Sequence, residues 1–252
     1  MTGSSAMFGA DERDDVRAAL LARARADGAI TGAAITGSHA ARGGDRWSDI
    51  DLALAVRGPV GPALHRWTDA VYHDHAAVHH WALPSGPAIY RVFLLPGWLE
   101  ADLAFVPEEQ FGPLGPDWRT VFGRAVDLPR PAGPDPRELA GRAWHHALQA
   151  RISIERGRLW QAEYWLGALR GQVIALACTR LGYPAAYAKG AHRLPPEVTG
   201  PLEASLAGSL DPAGLRAALA ASAAALAAEL GRTDQDLAGR LNPMLLALTA
   251  GS

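Results

Sequence analysis

Residues 49–56 alternate with period two: Ile50, Leu52, Leu54 and Val56 fall on one side, and Asp49, Asp51, Ala53 and Ala55 on the other. That pattern predicts a strand with one face in a core and the other carrying carboxylates and small side chains. Upstream, Ile30–Thr36 reads as a second strand, and downstream residues 78–83, Ala88–Leu95 and 99–106 read as three more, parted by Pro84-Ser85-Gly86-Pro87 and Pro96-Gly97. Two helices are predicted among them. Residues 11–25 carry Val16, Leu20 and Leu21 among charges, and residues 62–77 have a similar amphipathic spacing. The first ten residues read as a disordered leader.

The pattern changes after residue 126. Residues 127–136 hold too many prolines for regular structure and end in Asp135-Pro136, an N-cap followed by a first-turn proline. Beyond them the periodicity is helical: 137–156 closed by Gly157, 160–181 closed by Gly182, then alanine-rich stretches near 212–230 and 233–248. The expected architecture is therefore an α/β (α+β) domain with a mixed sheet over 1–126, a linker over 127–136, and an all-α helical bundle over 137–252.

Composition narrows the partners. A formal net charge of −2 over 252 residues argues against affinity built on neutralising a long nucleic acid. The single cysteine, Cys178, lies in an apolar run and reads as a small core residue. No window approaches about 20 uninterrupted apolar residues, the length a membrane span needs. A soluble cytoplasmic protein with no membrane partner is expected.

Candidate chemistry concentrates in one stretch. Gly37-Ser38 ends a strand and can offer backbone N–H groups and a hydroxyl to phosphate oxygens. Asp49 and Asp51, two apart on a strand, face the same way with Cβ atoms roughly 6 to 7 Å apart. Such a pair suits two magnesium ions held about 4 Å apart, which clamp both oxygens of an in-line phosphoryl displacement. In residues 99–106 the same alternation puts Asp102 on the polar side. If that strand lies beside 49–56, three carboxylates converge, and Asp102 can both ligate metal and accept a proton.

Gly37-Ser38 followed by Ser48-Asp49-Ile50-Asp51-Leu52, with Asp102 on a later strand, resembles the polymerase β-like nucleotidyltransferases, the antibiotic-modifying and minimal members above all. The resemblance spans residues 30–106 and weakens beyond Pro136. It implies that Gly37, Ser38 and Ser48 meet the triphosphate of ATP or another NTP, and that Asp49, Asp51 and Asp102 bind two magnesium ions. Many members place an arginine nearer to Gly-Ser than Arg42 stands, which leaves the role of Arg42 open.

By the same resemblance, Glu163 on a helix of the second half competes with Asp102 as the acceptor-activating base, a role that a helical-domain glutamate fills in some antibiotic nucleotidyltransferases, and Lys189, the only lysine in the chain, is the candidate to hold the triphosphate. Each has a plainer alternative: Glu163 in an ordinary salt bridge to Arg170 or another basic neighbour, and Lys189 in solvent on a loop. His73, His75, His79 and His80 read as turn and surface residues, because consecutive strand residues point to opposite faces. The aromatics Trp144, Trp160, Tyr164, Trp165, Tyr183 and Tyr187 divide between core and stacking surface.

The expected activity is magnesium-dependent transfer of a nucleoside monophosphate, AMP from ATP, to a hydroxyl of a small molecule such as an antibiotic. A polycationic aminoglycoside would call for an acidic cleft, to which Glu100, Glu108 and Glu109 contribute, whereas the basic excess over 137–197 favours a neutral acceptor or a nucleotide. Two alternatives stand beside it: adenylylation of a protein by an antitoxin-like minimal nucleotidyltransferase, and a catalytically silent nucleotide-binding module.

Overall fold

The computed structural model describes residues 7–40 and 44–249. Arg42 and the first six residues of the leader lie outside them. The chain divides into two compact units, residues 1–131 and 132–252.

The first unit is built on a six-stranded mixed sheet: β1 (Ile30–Thr36), β2 (Ile50–Val56), β3 (His79–Ser85), β4 (Ala88–Leu95), β5 (Leu99–Pro107) and β6 (Trp118–Phe122), in the order β3-β4-β5-β2-β1-β6. β2 and β5 run parallel; the other neighbours are antiparallel. Alternation along the central strands sorts their side chains. Ile50, Leu52, Leu54, Leu103 and Phe105 face α1 (Ala10–Ala26) and α2 (Val60–His75), where they pack with Leu20, Leu64, Trp67 and Val71 in one buried core. The opposite face carries Asp51, Asp102 and a second, thinner apolar layer of Ala34, Ala53, Ala55, Ala104 and Phe111.

β6 does not follow from the sequence pattern. Trp118, Arg119, Thr120, Val121 and Phe122 show no apolar and polar alternation, and this short edge strand owes its place to backbone pairing with β1. β2 begins at Ile50, so Asp49 stands just before the strand.

The second unit is helical: α3 (Pro136–Glu155), α4 (Leu159–Arg180), α5 (Pro196–Glu203), α6 (Pro212–Thr233) and α7 (Gln235–Thr249). Asp135 caps α3 by accepting the Arg137 N–H at 2.9 Å, with Pro136 in the first turn. Ala140, Ala143, Ala147 and Ala150 form a buried stripe on α3 that packs with Leu166, Leu169 and Val173 of α4, since side chains this small let helices approach closely. Cys178 is fully buried there. Glu229 of α6, 1% exposed, accepts from Nε and Nη2 of Arg180 at 2.6 and 3.1 Å, a bidentate pair that compensates its burial. α6 is long and apolar enough to cross a membrane by length and composition alone, and half of its most apolar stretch is buried within the protein.

Candidate active site

Parallel pairing of β2 and β5 sets the site's geometry. Asp51 and Asp102 are direct register partners, and Ala53 and Ala104 follow them on the same face. Asp49 stands one residue ahead of β2, and Glu100 precedes Asp102 by two on β5, which puts Glu100 on the same face as Asp102. Burial, reinforced by the charge of Asp49, pushes the Glu100 carboxyl above its ordinary range.

β1 ends at Thr36 in a 3-10 turn, Gly37–His39. Gly37 takes the left-handed φ of 63°, and a Cβ built there would sit 2.0 Å from Asp51 Oδ2. Only glycine permits this approach of backbone to carboxylate. Ser38 Oγ donates to Ser48 Oγ at 3.0 Å, and Ser48 Oγ accepts the Asp45 N–H at 3.0 Å. The turn after β1 and the loop before β2 are thereby tied together next to the carboxylates.

That loop is held from below by Arg13 of α1, which is 4% exposed. Its Nη1 donates to the carbonyls of Asp45 at 2.6 Å and Ser48 at 3.3 Å, while its Nε donates to Asp14 at 3.0 Å. Asp45 Oδ1 accepts the Trp47 N–H at 2.8 Å, the bond that does most to hold its carboxyl below the usual range. His39 lies against Gly44, and burial followed by the charges of Arg13 and Arg17 lowers its pKa.

Sequence reasoning passed over Arg13 and Tyr90. The signal for Arg13 is a charge on the buried stripe it shares with Leu20 and Ala24. Tyr90 pairs with Ala104 across the sheet and so shares the carboxylate face. Burial, and then the charges of Asp102 and Asp51, raise its phenol above the ordinary value.

Glu163 and Lys189 belong to the second unit. Glu163 Oε1 on α4 accepts from Arg170 Nη2 at 2.9 Å, and Arg170 Nη1 donates to the Ser205 carbonyl at 2.8 Å. Lys189 follows the turn Ala186–Ala188 and is exposed. Of the aromatic residues in this unit, Trp160, Tyr164 and Tyr187 are exposed, while Trp165 and Tyr183 pack against the core.

Carboxylate oxygens are hard donors suited to magnesium, and Asp51 and Asp102 offer two on adjacent strands. Among the described residues, however, no group of three or more His, Cys, Asp or Glu side chains is placed to hold a metal ion. The donor chemistry fits such an ion, with Asp49 at the loop junction as the remaining carboxylate.

No protein-family model matches the chain, and no curated protein matches it. Among solved structures it is similar to an aminoglycoside 6-adenyltransferase from Bacillus subtilis, at 11% identity and a TM-score of 0.35, over 95% of this chain and 98% of that one. A likeness of that degree leaves the activity to be argued from the site.

Proposed function

We propose that this protein is a nucleotidyltransferase that moves a nucleoside monophosphate, AMP from ATP, onto a hydroxyl of a small acceptor. The observation that carries this reading is the pairing of Asp51 with Asp102 in parallel register, with the Gly37 backbone pressed against Asp51. Gly37 and Ser38 bind the phosphates through backbone N–H groups and a hydroxyl, and Ser48 keeps the Ser38 hydroxyl in place. Asp49, Asp51 and Asp102 are the residues to hold magnesium, which when bound supplies positive charge to offset that of the phosphates.

Asp102 accepts the proton of the acceptor hydroxyl. The acceptor oxygen forms a bond to the α-phosphorus as the bond to the β-phosphate oxygen breaks, and pyrophosphate leaves. Arg13 acts on none of these atoms; it positions the loop that ends at Asp49. Glu163 is engaged by Arg170 and is assigned an ion-pair role in the second unit. Lys189, exposed on its loop, takes no part in these steps.

The test incubates the protein with magnesium and ATP labelled in the α-phosphate, together with aminoglycosides, lincosamides or whole-cell protein. Label appearing on a small molecule supports the reading. Label on protein alone would move the assignment to protein adenylylation, and magnesium-independent or absent transfer throughout would overturn it.

A further inference from the structure

The carboxylate face does not end at Asp51 and Asp102. One step along the strands, Thr120, Ala34, Ala53, Ala104 and Tyr90 stand side by side across β6, β1, β2, β5 and β4. Three adjacent alanines at the middle of a sheet leave its surface low, and the chain that crosses over them after β5 does not fill the space. A cavity of about 390 Å³ remains, lined by Ala53 and Ala104 of the sheet, by Tyr90 and Trp118, and by Leu114 and Leu128. That volume is in the range of pockets that take small organic molecules, about 300 to 1,000 Å³.

Its chemistry is restrictive. Asp117 is the only charged side chain along its wall among the described residues, and Ser85, Thr36 and Gln110 are the uncharged polar ones apart from Tyr90. Trp118 spends its indole N–H on Thr120 Oγ1 at 2.9 Å and packs edge-on against Phe111 at 5.0 Å, leaving an aromatic wall that offers apolar contact. Desolvating several ammonium groups against such a lining would be unfavourable, since one carboxylate cannot pair them.

Position supplies the role. Gly37 and Ser38 lie at the end of the face where β1 stops, and the cavity extends from the Asp51 and Asp102 row in the other direction, along β2 and β5. In-line displacement puts the attacking and leaving oxygens on opposite sides of the reacting phosphorus. We infer that this cavity receives the acceptor, and that the acceptor is an uncharged, hydroxyl-bearing molecule with a flat or branched apolar body, in place of a polycation. The assignment of the occupant as acceptor rests on the nucleotidyl-transfer reading above; the preference of the cavity for uncharged apolar bodies does not.

Binding and turnover test the two parts separately. Saturation-transfer NMR on the full chain without ATP uses phenyl β-glucoside and indole-3-ethanol as uncharged probes and kanamycin as the polycation. Two variants alter the cavity: Leu114→Glu places a charge at a half-exposed rim position with little risk to folding, and Ala53→Leu enlarges a side chain of its sheet lining. The uncharged probes are expected to bind through their ring protons, to weaken about tenfold in both variants, and to resist displacement by kanamycin. Absence of probe binding, binding unchanged in both variants, or displacement by equimolar kanamycin would overturn the inference. Pyrophosphate release is then followed with uncharged and polycationic acceptors. Release with polycations alone overturns the inference and leaves nucleotidyl transfer standing, whereas no release with any acceptor overturns the transfer reading and the acceptor assignment together.

Discussion

The backbone of Gly37 and the carboxylate of Asp51 are in contact so close that a methyl group on Gly37 would lie 2.0 Å from Asp51 Oδ2. Gly37→Ala must therefore displace the carboxylate or the turn, in addition to straining a φ of 63°. The expected result is a folded protein whose transfer rate falls on the order of a hundredfold, the scale on which a misplacement of about 1 Å acts. Transfer kinetics beside circular dichroism check this. A rate near wild type would mean that the Asp51 position is irrelevant to turnover.

Arg13 is a buried cation whose hydrogen bonds are mostly to backbone carbonyls of the loop before Asp49. Arg13→Met keeps much of the volume and removes the donors, leaving those carbonyls without their charged partner. Stability is expected to fall by about 2 kcal/mol, the usual worth of hydrogen bonds to a charged group. Because Asp49 and Ser48 are then held less firmly, kcat should drop more than the KM for ATP rises. Denaturant melts and steady-state kinetics together decide it; an unchanged kcat in a destabilised variant would confine Arg13 to folding.

Asp27 ties α1 to α2 through bonds from Trp67 Nε1 and the Ala29 N–H, both 2.9 Å. Burial works to raise its pKa, but those two bonds and the Arg66 charge outweigh it, so the carboxyl lies below its ordinary value. A lowered folded pKa means stability present above the unfolded value, near 3.8, and lost as pH falls through the folded one. Asp27→Asn should thus be less stable than wild type at pH 7, by about 1 to 2 kcal/mol, with the gap closing below about pH 4. A gap that persists undiminished at pH 3 would contradict the sign.

Glu163→Gln separates an ion pair from a base. With Arg170 holding Oε1 at 2.9 Å and the Glu163 side chain 31% exposed, the substitution is expected to cost about 1 kcal/mol or less of stability and to leave the single-turnover rate within about twofold. A fall of roughly a hundredfold at unchanged ATP affinity would instead identify Glu163 as the general base.

How far the sequence carried depended on whether one strand's pattern sufficed. Ile50, Leu52 and Leu54 against Asp51 and Ala53 announce a two-faced strand by themselves, and Leu99, Ala101, Leu103 and Phe105 do the same for β5. Pro and Gly crowd the chain over residues 127–136, and the two compact units divide between residues 131 and 132. Relations between strands were not legible: that β2 and β5 are parallel neighbours, that Ala34, Ala53 and Ala104 line up, and that Tyr90 joins them all depend on register. Each alanine alone reads as filler. Arg13 was hidden for a related reason, since its partners are carbonyls, which carry no mark in the sequence.

Under the proposed function Asp51 and Asp102 form one catalytic pair, which single-turnover release of pyrophosphate from ATP at saturating magnesium checks. With an acceptor that supports transfer by the wild type, Asp51→Asn and Asp102→Asn are each expected to fold normally and to lose at least about a thousandfold in rate, because amides supply neither charge nor adequate ligand strength. The double variant should be little worse than either single one, as residues acting as a unit are not additive. Normal turnover in either single variant would mean that the two carboxylates do not act as a catalytic pair.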